Sequence, residues 1–108
     1  MSNFQDREKA FESKYAHDEA TRFKVESRRN KLLGLWLAEQ LGKTGDDAEA
    51  YAKEVVISDL KEAGDEDIIG KVMEDISAAN LDITRAQIEE YLIKYKVEAA
   101  EQLGLTDD

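Results

Sequence analysis

A single histidine, His17, is followed directly by Asp18 and Glu19. Imidazole is the side chain whose ordinary pKa lies near neutrality, and two flanking carboxylates favour its charged form, which would make His17 a modest pH sensor. A solvated histidine in a polar helix is the plainer reading and carries more weight. Catalysis needs titratable groups gathered in a pocket, usually with a histidine, a cysteine or a metal among them. One histidine and no cysteine in 108 residues offer little of that kind, so the expectation is a protein that is not an enzyme, with no catalytic residues, no cofactor and no metal. The acidic stretch "DEDIIG" lacks the alternating oxygen ligands and twelve-residue spacing of a calcium loop. "GDD" is explained by the favourable placement of acidic charge at a helix start. No glycine pattern matches a phosphate-binding loop. A carrier protein that holds a prosthetic arm on a serine would show "DSL" at a helix start, whereas this chain has "SDL" at Ser58, Asp59 and Leu60, inside a helical pattern.

Charge and aromatic residues separate two regions. Residues 1–31 hold eight basic and six acidic side chains, net +2, while residues 32–108 hold seven basic and nineteen acidic, net −12; together these give the −10 of the chain. An acidic body repels nucleic-acid phosphates and anionic lipid. "RFKVESRRNK", with Arg28 and Arg29, is the single basic patch, and such residues more often solvate a helix or meet an acidic partner than contact nucleic acid. Ahead of it, Phe4, Phe11 and Tyr15 form a narrow stripe at spacings of seven and four, surrounded by charged residues; Phe23 sits off that line. This arm is too polar to be a core and too aromatic to be an inert tail.

The elements that would position these residues are helices. The chain contains no proline and is rich in Ala, Glu, Lys and Leu, so little interrupts a helical backbone. Gly42, Gly45, Gly64 and Asn80 stand where one helix can end before the next begins. Four helices are expected. The first spans about residues 3–41, with Ser2 and Gln5 at capping-box spacing, and its length suggests that it is broken or frayed. The second covers roughly 46–63 with Ala48, Tyr51, Ala52, Val55, Val56 and Leu60 on one face. The third covers about 66–79 with Ile68, Ile69, Val72, Met73 and Ile76, and the fourth starts near Thr84, paired with Gln87 as a capping box, carrying Ile88, Tyr91, Leu92, Tyr95, Ala99 and Leu103. "KLLGLWLAEQL" supplies the first helix's share of the core through Leu32, Leu33, Leu35, Trp36, Leu37 and Leu41. The fold class expected is an all-α four-helix bundle, residues 21–108, with a long first helix whose N-terminal part, residues 1–20, is a mobile or conditionally helical arm. Pairs such as Asp6 with Lys9 or Lys14 with Asp18 contribute only about 0.2–0.5 kcal/mol each, so the arm is a marginal helix until its stripe finds a groove. The longest apolar run, "LLGLWLA", is far short of the roughly 20 residues that span a bilayer. A soluble, cytoplasmic protein, a monomer when free, is expected.

The segment "DREKAFESKYAHDEATRFKVESRRNKLLGLW" is very similar to the start of the zeta-type inhibitor subunit of the alpha-proteobacterial F-type ATP synthase, and the similarity continues through "GKTGDDAEAYAKEVV" and "AGDEDI". "REKAFE", "KYAHDE", "FK" and "RRNKLLG" occur in the order and spacing of that family. Tyr15 stands where phenylalanine would be expected, keeping the ring and adding a hydroxyl. The resemblance implies a regulatory inhibitor of ATP hydrolysis. Its N-terminal helix would enter a catalytic interface between the large subunits of the ATPase head, beside the central rotor, and block rotation in the hydrolysis direction. Carried over residue by residue, the inhibitory segment is Phe4, Asp6, Arg7, Glu8, Lys9, Ala10, Phe11, Glu12, Lys14, Tyr15, Ala16, His17 and Asp18. The partners implied are the head subunits and the rotor, with no nucleic acid and no direct membrane insertion; association with the membrane would be peripheral, through the synthase. The alternative is a general helical adaptor with an N-terminal recognition helix, or, with less support, a nucleic-acid contact through Arg28 and Arg29.

Overall fold

Glycine and asparagine end two of the four helices in the way their spacing suggests. The computed structural model describes residues 19–59 and 64–104, and within them the chain forms α1 (Glu19–Gln40), α2 (Gly45–Ser58), α3 (Glu66–Ala78) and α4 (Arg85–Gln102), with no strand among the described residues. After α1, Gly42 adopts φ +80° while the Lys43 amide donates to the Ala38 carbonyl and the Gly42 amide to Glu39. Asn80, at φ +58°, does the same after α3, with the Leu81 amide bonded to Ile76 and its own amide to Ser77. Both closures satisfy carbonyls that a helix end would otherwise leave open. Thr84 caps α4 through the full reciprocal box with Gln87, as its spacing indicates.

Two helix bounds differ from expectation. Gly45 is the first residue of α2 rather than a terminator, and Thr44 precedes it in an extended conformation. At its other end α2 stops at Ser58, whose hydroxyl donates to the Val55 carbonyl, and Asp59 turns toward α1 instead of extending the helix. Leu60, placed on the buried face of the second helix, lies outside the described residues, as does the expected first-helix stretch ahead of Glu19 with its Ser2–Gln5 box.

The main core draws on every helix: Leu33, Leu37 and Ala38 from α1, Tyr51 and Val55 from α2, Ile68, Ile69, Val72 and Ile76 from α3, Ile88 and Leu92 from α4. Each fully buried aliphatic side chain contributes about 1.5–3 kcal/mol relative to exposure. Trp36 is half-buried at the edge of this core, its ring 4.2 Å from that of Tyr91, which in turn stacks on Tyr95 at 5.8 Å. The tightest approach is between α1 and α2. A Cβ on Gly34 would lie 2.7 Å from the Cα of Ala52, so a glycine that weakens the helix by about 1 kcal/mol relative to alanine lets the two backbones close together.

A second, smaller cluster lies at the other end of α1. Val25 packs with Val97, Ala99 and Ala100 of α4, with Leu32 and Leu103 alongside. Val25, Leu33 and Leu37 therefore share one buried stripe at multiples of four residues, and the position between Val25 and Leu33 on that stripe is Arg29.

Candidate functional site

All thirteen residues of the inhibitory segment expected from the sequence, Phe4 to Asp18, lie outside the described residues, so the structure neither gathers nor separates them. What it does define is the helix that leads away from them. Along the first turns of α1, Arg22, Phe23 and Lys24 face solvent, with Phe23 56% exposed. Val25 is buried. Phe23 thus presents its ring outward beside a helix face that is held from beneath.

The N-terminal half of α1 is seated in two ways. On the α4 side it rests on the Val25 cluster, and Arg28 reaches Gln102 at 3.4 Å. On the α2–α3 side it is gripped by a polar group. Arg29 is 4% exposed, and its guanidinium donates to Asp65 at 3.1 Å, to Asp59 at 3.5 Å and, through Nε, to the Asn30 amide oxygen at 2.9 Å. Asn30, itself buried, donates from Nδ2 to Asp59 Oδ2 at 2.8 Å. The other Asp59 oxygen, Oδ1, is buried with no hydrogen-bond partner among the described residues. Burial pushes the Asp59 carboxyl above the ordinary aspartate range despite Asn30 and Arg29, which pull it down; Asp65 and Glu26 push it further up.

Sequence reasoning counted Arg29 with a solvated basic run, and the structure corrects this: Arg29 points inward and is not part of a surface for nucleic acid. A signal was present. Arg29 occupies the i+4 position between Val25 and Leu33, so the buried stripe passes through it, but its counterions lie 30 and 36 positions away in sequence, beyond the reach of periodicity.

Two other polar groups tie helices together. Arg85 of α4 bonds Glu66 of α3 at 2.7 Å and Glu89 at 3.0 Å, at a surface cleft bordered by Arg29, Asp65, Ile69 and Leu92. On another face, Tyr51 donates its hydroxyl to Asp75 at 2.7 Å, and Lys71 bridges Glu54 and Asp75, each at 3.0 Å. Burial, followed by the Asp75 acceptor, drives the Tyr51 hydroxyl far above its ordinary pKa, so it stays a donor. Burial lowers Lys71, but its two carboxylate partners outweigh that and raise it, so it stays a cation. Lys43 and Lys71 also lie 5.9 and 5.3 Å from the Tyr51 ring centre. In each group, cation and carboxylate are spent on one another and cross-link helices. No cluster of three metal-ligating side chains occurs among the described residues, and among them no helix is long and apolar enough to cross a membrane.

Comparison with known proteins adds what the geometry does not carry. The family model described as ATPase inhibitor subunit zeta matches residues 1–102. A protein whose structure was determined by solution NMR is similar at 46% identity, with a TM-score of 0.69, over 77% of this chain and 94% of its own. No curated protein sequence matches.

Proposed function

Because the chain belongs to the ATPase inhibitor subunit zeta family, we propose that it restrains ATP hydrolysis by the F-type ATP synthase by inserting residues 1–20 as a helix into a catalytic interface of the head. The family is one of regulatory inhibitors, so the protein acts on an ATPase and is not itself the catalyst. The observation that carries the proposal is the extent of the match, which takes in the segment ahead of α1 as well as the bundle. Phe4, Phe11 and Tyr15 would anchor the inserted helix in an apolar groove, and Asp6, Arg7, Glu8, Lys9, Glu12, Lys14 and Asp18 would fix its register by charge complementarity. Ala10 and Ala16 leave room for close approach, and His17 sits beside Asp18 at the end of the segment. Wedged between the large subunits next to the rotor, the helix would hold the interface in one conformation and oppose rotation in the hydrolysis direction. The bundle, too wide to follow, would lodge against the head and limit the depth of insertion. Ordering a marginal helix consumes roughly 2–5 kcal/mol of the gross binding energy, which is why several anchors are needed.

Titration of the full chain into its own ATP synthase head, with hydrolysis as the readout, tests this. Deleting residues 2–18 is expected to abolish inhibition while the remainder keeps its helicity and unfolds cooperatively. Full inhibition by the truncated chain would overturn the assignment of the segment, and a truncated chain that is unfolded would show that the segment belongs to the fold.

A further inference from the structure

We propose that Arg29, Asn30, Asp59 and Asp65 form a proton-holding clasp, in which Asp59 takes up a proton as the end of α2 and the start of α3 close on α1. One guanidinium serves two carboxylates here. Asp65, whose side chain is 44% exposed, takes the shorter bond to Arg29 at 3.1 Å, while Asp59, 9% exposed, has the longer at 3.5 Å. Asp65 is therefore the natural counterion of Arg29. What Asp59 mainly receives is the neutral Asn30 amide at 2.8 Å. Asn30 is fixed in that orientation because its own oxygen accepts from Arg29 Nε at 2.9 Å.

An ionised Asp59 would keep half of its charge on Oδ1, an atom removed from water and without a donor among the described residues. Burying a charge without partners costs far more than burying a neutral polar group. A proton on Oδ1 replaces the cost of a buried charge with the smaller one of a buried neutral hydroxyl and leaves Oδ2 as a carbonyl-like acceptor for both Asn30 and Arg29, so the network survives protonation. Among the described residues, the charged groups facing Asp59 are Arg29 and Glu26 from α1 and Asp65 at the start of α3, one cation against two other anions. Glu66 of α3 and Arg85 and Glu89 of α4 border the adjoining cleft, and Arg85 is already held by both glutamates. Lys61 and Glu62 lie outside the described residues. Burial acts on Asp59 in the same direction as the two anions, raising its affinity for a proton.

The sign of the pH dependence follows. A carboxyl whose pKa is raised by folding contributes stability that is fully present below its unfolded pKa and is lost as pH rises through its folded pKa. The clasp is thus tightest below the ordinary aspartate pKa and loosens as pH rises through the raised Asp59 midpoint, and what it holds is the N-terminal half of α1. This concerns the free protein and does not depend on the inhibitory reading.

The test is a carboxyl-carbon NMR titration of the full chain, combined with thermal melting from pH 4 to 8 of the native protein and of Asp59→Asn. Asp59 is expected to titrate above the ordinary aspartate value of about 3.9. Asp59→Asn, which mimics the protonated form, is expected to melt at or above the native protein at pH 7.5, with the native protein gaining on it as pH falls through the Asp59 midpoint. An Asp59 midpoint at or below the ordinary value would overturn the proposal. So would an Asn variant that melts lower than the native protein by the same margin at every pH, since the carboxylate charge would then be what the clasp requires. Should the variant fail to fold, the native titration alone decides.

Discussion

The two halves of α1 are held to the bundle by different physics. From Leu32 onward, Leu33, Leu37 and Ala38 are sunk into a core to which every helix contributes, and Gly34 draws α2 to within backbone contact. Before Leu32, Val25 packs on Val97, Ala99 and Ala100 of α4, Arg28 reaches Gln102, and the buried polar group around Arg29 grips the other side. Apolar burial is additive and insensitive to pH, whereas a buried ion group contributes little net stability and depends on protonation and exact partners. The difference teaches where this protein is fixed and where it can yield: the half of α1 next to residues 1–18 is the weakly held half.

The largest effect expected from breaking this comparison is at Leu37. Leu37→Ala empties space at a fully buried position of the main core, to which all four helices contribute, and is expected to lower the unfolding free energy by about 2–5 kcal/mol, measured by urea denaturation. The loss should be global, with a single transition at lower denaturant. A small or local loss at Leu37 would mean that the two halves of α1 are held more equally than their packing implies.

Next in size is the double change Phe11→Ala and Tyr15→Ala. If these rings are anchors for a partner, as proposed, affinity for the ATPase head should fall by at least about 2 kcal/mol, in the range of hot-spot residues, while the denaturation midpoint stays unchanged. A variant that melts early and inhibits normally would assign the stripe to the bundle instead, and would remove the contrast between a weakly held half of α1 and a fixed core.

How much of this was legible in the sequence depends on the kind of contact. The stripe Ile68, Ile69, Val72 and Ile76 is buried as its spacing indicates, because aliphatic periodicity reports directly which face leaves water. The Thr84–Gln87 cap was equally legible, since both partners lie within four residues. Arg29 was not, because a cation inside "RRNK" has the composition of a solvated face and its burial depends on acids contributed by a distant loop. Nor was the role of Gly34, whose partner Ala52 lies on another helix. Of the candidate site, the sequence supplied the resemblance and the segment, and the structure supplied the manner in which α1 is anchored behind it.

Gly34→Ala sharpens the packed side of the comparison at a smaller scale. Alanine gains about 1 kcal/mol in helix propensity over glycine, but its methyl would meet the Ala52 backbone at 2.7 Å, and overpacking of a fitted contact costs about 1–3 kcal/mol. The net expectation is a loss of about 1 kcal/mol by denaturation, since the atom the methyl would meet belongs to the backbone and cannot rotate aside. A gain in stability would mean that α1 and α2 can separate by a few tenths of an ångström without disturbing the core behind them.

Val25→Ala tests the weakly held half, and its effect is expected to be mainly local. Two methyl groups leave a cluster whose other members are Val97, Ala99 and Ala100, which at about 0.8 kcal/mol per carbon amounts to a loss on the order of 1–2 kcal/mol. The core that governs cooperative unfolding is untouched, so the loss should surface first as local opening: faster amide exchange over residues 22–30, with little change at Leu33 to Ala38. If exchange quickens equally along the whole of α1, the helix opens as one unit and its two halves are not separately held. If it quickens only ahead of Asn30, the polar clasp is where local opening stops, and the comparison between the halves holds at the level of dynamics as well as packing.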